Sequence, residues 1–268
     1  MSEKESPVKW SVRAMKVGHW TAVPGPELHW MSHWDEWQQV DVLMLVARSD
    51  DGRVALVNTG PGQDYLPFMN AHWARVVRED CSFDVAPEQR IEAILAANEL
   101  TPDDVDYVIC TPFQAYTVGN LPLFERARIC LSRRGWDFFF QNPYPNHPHD
   151  YRPMVFPPRV LEWLVYEAHD RIVLLDDEHE LAPGLRTFFT GAHHRASIAV
   201  DLDTANGRVI ASDAAFLYEN VEQSTLLGIN ESMYEALDAY ARFRRDADHF
   251  VPLCDGRVFD RHPGGVIA

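Results

Sequence analysis

Residues 106–124 read Asp-Tyr-Val-Ile-Cys-Thr-Pro-Phe-Gln-Ala-Tyr-Thr-Val-Gly-Asn-Leu-Pro-Leu-Phe, and this segment decides the fold. Residues 107–110 are aromatic, β-branched or otherwise apolar and stop before Pro112, which predicts a short buried strand. A loop follows up to Thr117, and Gly119 then leads into a second apolar run. The sequence therefore predicts a strand, a loop and a short helix at 121–126, in that order.

Alternating strand and helix patterns surround this segment. Asp50-Asp51-Gly52 and Asn206-Gly207 are turn signals that predict two hairpins. The predicted strands are 8–17, 40–47, 54–57, 127–132, 171–175, 185–190, 197–202, 209–211 and 250–253. The predicted helices are 87–98, 157–168 and 232–246, and 176–183 is predicted to be a turn. The chain has two halves, each strand-rich and then helical, which predicts an α/β protein. We expect a single domain over residues 1–268, in which two sheets pack face to face with helices outside.

Two aromatic insertions interrupt this pattern. The first, near 18–39, contains Trp20, Trp34 and two prolines that predict a loop. The second, near 136–158, is rich in proline and carries His147 and His149. The first segment is a hydrophobic flap over the core or a partner subunit, or an apolar wall over a substrate pocket. The aromatic and apolar residues of both segments favour an uncharged or aryl/acyl substrate group.

Charge and composition exclude several classes of function. The 268 residues contain 24 Lys and Arg against 40 Asp and Glu, a formal charge of −16, which argues against nucleic-acid or membrane-surface binding. The first residues lack the apolar region of a signal peptide, and no run approaches the roughly 20 apolar residues of a membrane span. Four cysteines without a CxxC pair are expected to be free thiols. A cytoplasmic enzyme is the expectation.

The frame around residue 111 resembles the metal-binding turn of the metallo-β-lactamase superfamily. In that family a strand ends in Thr-His-x-His-x-Asp-His and continues into a Gly-Asn or Gly-Gly helix start. This chain keeps Thr111, Gly119 and Asn120. The four ligand positions hold other residues: Pro112, Gln114, Tyr116 and Thr117.

The second half of the chain resembles the same family, in the same order. The segment Thr-Gly-Ala-His-His-Arg-Ala-Ser, 190–197, places His193 at a ligand position. Asp213 falls on the carboxylate that bridges two metals, and Cys254 stands where the last histidine belongs. The segments most resemble the N-acyl-homoserine-lactonase-like branch. The resemblance implies a four-layer αββα sandwich, a two-zinc site, hydrolysis of a lactone or related ester, and a homodimer.

Most of the ligands are substituted, so three functions remain open. The first is a metal-free or remodelled hydrolase, or a divergent lyase, for a lactone, ester or related carbonyl substrate. In it His193 or His194 acts as general base and Asp213 orients the imidazole. Tyr116, Tyr218 or Arg195 would stabilise an oxyanion, and Cys254 is a candidate nucleophile. Because side chains alternate along a strand, only one of the two histidines is expected to face the pocket.

The second function is a mononuclear metal hydrolase. His193, Asp213 and Cys254 would hold one divalent ion, zinc by preference, with a water in the fourth position. The third is a non-catalytic binding protein that retains the fold. In each case the expected ligand is a small molecule with an apolar or aryl/acyl part. The predicted contacts to it are Gln114, Tyr218, Trp34 and Trp136.

Overall fold

The computed structural model describes residues 7–145 and 151–268. His147 and His149 of the second aromatic insertion lie outside the described residues. No helix in the described ranges is long and apolar enough to cross a membrane.

Twelve strands in the described part of the chain form one hydrogen-bonded network. They are β1 Trp10–Pro24, β2 Trp37–Ser49, β3 Val54–Val57, β4 Phe83–Asp84, β5 Tyr107–Ile109, β6 Arg128–Ser132, β7 Ile172–Leu175, β8 Glu178–Ala182, β9 Leu185–Phe189, β10 Ile198–Thr204, β11 Gly207–Ser212 and β12 His249–Pro252.

The α-helices surround the strands. They are α1 Gly25–Leu28, α2 Leu66–Val76, α3 Ile91–Ala97, α4 Ala115–Val118, α5 Arg133–Gln141, α6 Arg152–Val155, α7 Pro158–Tyr166, α8 Tyr218–Glu222, α9 Met233–Asp246 and α10 Val258–Arg261. Single 3₁₀ turns lie at Pro87–Gln89, Pro102–Asp104, Leu121–Leu123, His169–Arg171 and Pro263–Gly265.

The strand order divides the network into two half-sheets. The path runs β12-β11-β10-β1-β2-β3-β5-β6-β7, and β9 and β8 extend from β10. The halves join where β1 begins, through one parallel pair between Trp10 and Thr204. Both predicted hairpins are confirmed, since β2 pairs antiparallel with β3 and β10 pairs antiparallel with β11.

Alternation along the strands produces four layers. On β2, Val42 and Met44 pack into a core that includes Ile94 of α3, whereas Leu43 between them packs into the core between the half-sheets. Successive side chains of a strand point to opposite faces, so a strand that is apolar on both faces must be covered on both sides. On β11, Ile210 packs toward Phe243 of α9. The layers are therefore helix, sheet, sheet, helix, and the predicted αββα architecture is confirmed.

Three local predictions are wrong. The predicted helix at 121–126 is a single 3₁₀ turn, Leu121–Leu123. Residues 18–24 are not a loop, because β1 continues to Pro24 and pairs with Trp37 of β2. Residues 178–182 are not a turn but β8, an edge strand that pairs with β9. An exposed edge strand carries polar side chains such as Glu178 and Glu180, so the hydrophobic pattern that identifies buried strands is missing there.

Candidate functional site

A cavity of about 480 Å³ opens where the two half-sheets end. Both halves of the chain supply its walls, since α2, α4, the turn after β9 and the segment before α9 all contribute. A recess of about 50 Å³ adjoins it and shares six of its residues. The cavity is lined by Glu27, His72, Trp73, Val76, Val77, Gln114, Tyr116, Tyr151, Met154, His193, His194, Gly228, Ile229, Asn230 and Glu231. The shared residues are Glu27, Trp73, Val77, Tyr116, His193 and Ile229.

His193 lies in this cavity as a neutral imidazole. Its Nδ1 is 2.8 Å from the carbonyl oxygen of Ile229. A carbonyl only accepts, so Nδ1 carries the proton and donates, and Nε2 keeps its lone pair. Burial lowers the pKa of His193, and the ring packs edge-on against Phe216 at 4.8 Å between centroids. The arrangement is that of a general base oriented by a backbone acceptor.

His194 lines the same cavity but has a different role. Its Nδ1 accepts a hydrogen bond of 3.0 Å from the backbone N–H of Ala196, which stabilises the turn. The expectation that only one of the two histidines faces the pocket is wrong. It assumed a regular strand, whereas residues 191–197 form turns between β9 and β10, where strict alternation does not hold.

Tyr116 and Gln114 come from the loop and helix that follow β5. Burial raises the pKa of Tyr116 well above its usual value, so the phenol stays protonated and can donate a hydrogen bond. The loop is fixed by Thr117, whose hydroxyl donates to the carbonyl of Pro112 at 2.6 Å and accepts from the backbone N–H of Gln114. Thr117 stands at a position where the family has a metal ligand, and here its hydroxyl bonds to the backbone.

Asp213 is separated from this cavity. Its carboxylate accepts hydrogen bonds from the hydroxyls of Thr111 and Ser197 and is almost fully buried. Burial raises the pKa of Asp213 to about 6. The side chain lines a void of only about 10 Å³, at the lower limit for one water molecule. Asp213 therefore does not orient His193, contrary to the prediction.

Cys254 lines the same small void and is buried. Burial raises the pKa of the Cys254 thiol well above its usual value, and the nearby Asp213 carboxylate is the next largest cause. Because the thiolate is the reactive form, a thiol held neutral in this way is a poor nucleophile. The prediction of a nucleophilic Cys254 is not supported.

Two aromatic side chains separate His193 from Asp213 and Cys254. Tyr116 and Phe216 line both the void and the recess, whereas His193 lines only the cavity and the recess. The three predicted ligands are thus not assembled into one site. Within residues 7–145 and 151–268, no group of three or more His, Cys, Asp or Glu could hold a metal ion. The donor set does not fit the single-metal site predicted from the sequence.

Three predicted substrate contacts lie elsewhere. Tyr218 packs in the core between the half-sheets, beneath the guanidinium of Arg261. Trp34 is 63% exposed on the surface, and Trp136 lines a separate groove with α7 residues. The predicted oxyanion donor Arg195 forms ion pairs with Glu231 and Glu235, and these two carboxylates neutralise its charge. Of the predicted substrate contacts, only Gln114 lines the cavity.

Glu27 is a charged cavity residue that the sequence did not indicate. It lies on α1, and its half-buried carboxylate lines both the cavity and the recess. No side chain in the described ranges donates a hydrogen bond to it, and burial raises its pKa to about 7. Segment 18–39 also contains Asp35 and Glu36, so nothing in the sequence distinguished Glu27 from them.

Close backbone contact holds Glu27 in place. The backbone N–H groups of Gly228 and Ile229 donate to the Glu27 carbonyl at 3.0 and 2.8 Å. A Cβ atom at Gly228 would lie 1.6 Å from the carbonyl oxygen of Pro26. Glycine is therefore required there, because any side chain would force the two segments apart.

Solved structures with the same architecture include known hydrolases. An N-acyl homoserine lactone hydrolase, solved with N-hexanoyl-L-homoserine at its catalytic metal centre, has a TM-score of 0.76 and 17% identity over 96% of this chain and 97% of that chain. A hydrolase of the beta-lactamase superfamily has a TM-score of 0.60 and 12% identity over 94% and 93%. The chain has the metallo-β-lactamase fold.

A third similar structure is that of a probable metal-dependent hydrolase from Staphylococcus aureus. Its TM-score is 0.71, with 14% identity over 93% of this chain and 91% of that chain. No protein-family model and no curated protein sequence matches the chain. At these identities the comparisons show the fold alone, and the chemistry depends on the side chains of the cavity.

Proposed function

We propose that this protein is a hydrolase of a lactone, ester or related carbonyl substrate that acts without a metal ion. The observation that carries the proposal is His193, a neutral base held by the Ile229 carbonyl at 2.8 Å in a cavity that also holds Tyr116 and Gln114. A base and two hydrogen-bond donors in one pocket are what metal-free hydrolysis of a carbonyl compound requires.

The reaction begins with a water molecule that donates to His193 Nε2. His193 takes one proton as the water oxygen attacks the carbonyl carbon, and the Ile229 carbonyl stabilises the imidazolium through the Nδ1 proton. The Tyr116 hydroxyl and the Gln114 amide donate to the oxyanion. When the tetrahedral intermediate collapses, the leaving alkoxide takes the proton back from His193. A carboxylic acid and an alcohol result, and His193 is neutral again.

The apolar walls suit the acyl or aryl part of the substrate. The apolar lining of the cavity includes Trp73, Val76, Val77 and Met154. Burial of apolar surface against such walls supplies binding free energy, and the few polar groups set the orientation.

The first test is a panel of lactones and of aryl and alkyl esters, assayed in excess chelator. We expect turnover of at least one class of carbonyl ester, and its rate should not change on addition of zinc. Activity that disappears with chelator and returns with zinc would contradict the metal-free mechanism.

Removal of the Tyr116 hydroxyl tests the oxyanion donor. We expect Tyr116→Phe to lower kcat by about 10- to 100-fold, somewhat less than the loss of a main oxyanion donor. The phenylalanine ring keeps the edge-on contact with Trp20 at 5.5 Å, so the fold should be retained. Tyr234→Phe, on the exposed face of α9, is the matched control and should behave as wild type. Equal kcat values for the two variants would remove Tyr116 from the mechanism.

One observation favours a binding protein instead. Among the described residues, no side chain is hydrogen-bonded to His193, and the predicted catalytic groups Asp213 and Cys254 lie behind Tyr116 and Phe216. A protein that binds members of the panel saturably and hydrolyses none of them would establish this second function.

A further inference from the structure

The recess beside the cavity combines aromatic rings with one carboxylate. Trp20, Trp73 and Tyr116 line it together with Glu27. The indoles of Trp20 and Trp73 pack edge to face at 4.9 Å between centroids. Aromatic side chains grouped around a carboxylate form the kind of site that binds organic cations.

The charges around the cavity favour the same kind of ligand. Two carboxylates, Glu27 and Glu231, line it, and no described lysine or arginine lines either the cavity or the recess. Burial lowers the pKa of His72 and of His193, so both are neutral near pH 7. With a formal charge of −16 on the chain, the surrounding potential attracts cations and repels anions.

The two carboxylates differ in what already neutralises them. Glu231 accepts from Arg195 at 2.8 Å, whereas no described side chain pairs with Glu27. A half-buried carboxylate without a partner is costly, and a ligand that supplies a cation removes that cost. Glu27 therefore offers a free acceptor at the junction of recess and cavity.

We infer that Glu27, with Trp20 and Trp73, binds the ammonium group of a cationic substrate in this recess. The substrate class is an ester or lactone that carries a protonated or quaternary amine. Its ammonium group would lie beside Glu27 and its carbonyl beside His193, because both residues line the cavity and the recess. The position of the carbonyl rests on the proposed hydrolase function, and the binding of the cation does not.

A pair of nearly isosteric probes tests the inference without catalysis. Choline carries a trimethylammonium group, and 3,3-dimethylbutan-1-ol has a neutral tert-butyl group of the same shape. We expect calorimetry at pH 8 to show that wild-type protein binds choline about tenfold or more tightly than the alcohol. Equal affinities would overturn the inference.

The Glu27→Gln variant identifies the residue responsible. It keeps the size of the side chain, and we expect it to lose the preference for choline. Glu88→Gln, on an exposed 3₁₀ turn, is the matched control and should keep it. A Glu27→Gln protein that is folded by circular dichroism and still prefers choline would contradict the assignment.

A pH series on wild-type protein provides a measurement that needs no variant. With a pKa of about 7, Glu27 is charged at pH 8 and largely protonated at pH 6, so choline should bind several-fold more weakly at pH 6. The other titratable groups around Glu27 are His72, Cys81, Tyr116, Tyr151, His193, His194 and Glu231. The same series on Glu27→Gln measures their contribution, and an unchanged pH dependence in that variant would overturn the role of Glu27.

The two proposals fail separately. Preference for choline without hydrolysis of any ester would support the cation site and contradict the hydrolase. Hydrolysis of neutral esters without any preference for choline would support the hydrolase and overturn the cation site.

Discussion

Replacement of His193 by asparagine is expected to lower kcat by about 10²–10⁴-fold, the usual contribution of a general base. Asparagine places an amide N–H near the position of Nδ1, so it can still donate to the Ile229 carbonyl. It has no equivalent of Nε2 and cannot take a proton from water. The variant should therefore bind substrate and fold normally but fail in the chemical step.

The pH profile separates this role from a structural one. Burial lowers the pKa of His193 below its usual value of 6.5, and only the neutral form is a base. With an uncharged ester, wild-type kcat should rise with pH through this lowered pKa and stay level above pH 7. His193→Asn should lose that rise.

The control for this experiment is His169→Gln, which alters an exposed histidine outside the cavity. We expect wild-type rates and a wild-type pH profile from it. If His193→Asn instead raised KM while kcat and the pH profile stayed unchanged, His193 would be a binding residue rather than the base.

Replacement of Asp213 by asparagine is expected to change how stability depends on pH. Burial raises the pKa of Asp213 from 3.8 to about 6, so folding favours the protonated carboxyl. That contribution to stability is fully present below pH 3.8 and is lost as the pH rises through 6. Above pH 6, the ionised Asp213 carboxylate lowers the free energy of unfolding by about 3 kcal/mol, since one pKa unit corresponds to about 1.4 kcal/mol.

Asparagine is uncharged at every pH and therefore avoids this cost. Its amide also changes the hydrogen bonds with the hydroxyls of Thr111 and Ser197, which adds an effect that does not depend on pH. The informative quantity is the difference in unfolding free energy between Asp213→Asn and wild type. We expect the unfolding free energy of Asp213→Asn, relative to that of wild type, to increase by up to about 3 kcal/mol between pH 4 and pH 7.5.

Urea unfolding at several pH values measures this difference, with the exposed Asp260→Asn as the control. A constant difference across the range would show that Asp213 is not held in a desolvated site. A gain of stability on addition of zinc, seen in wild type and absent in Asp213→Asn, would show instead that Asp213 binds a metal.

The homodimer, the cytoplasmic location and the single domain over residues 1–268 stay predictions. Sedimentation of the purified chain would decide the first of them.

The sequence by itself determined the layers and the two hairpins. Two halves that are each strand-rich and then helical predicted two sheets with helices outside, and turn signals such as Asp50-Asp51-Gly52 fixed the hairpins. These features depend on neighbours in the chain, so they can be read from local patterns. The predicted candidates His193, Tyr116 and Gln114 also reached one cavity, since each follows a strand that ends at the same edge of the fold.

Only the tertiary structure decided which of the candidates act together. The rings of Tyr116 and Phe216 separate His193 from Asp213 and Cys254, and α1 brings Glu27 into the lining of the cavity. These outcomes depend on how side chains from distant parts of the chain pack against one another. Packing of this kind leaves no periodic signal in the sequence, because it arises only when the layers close around the site.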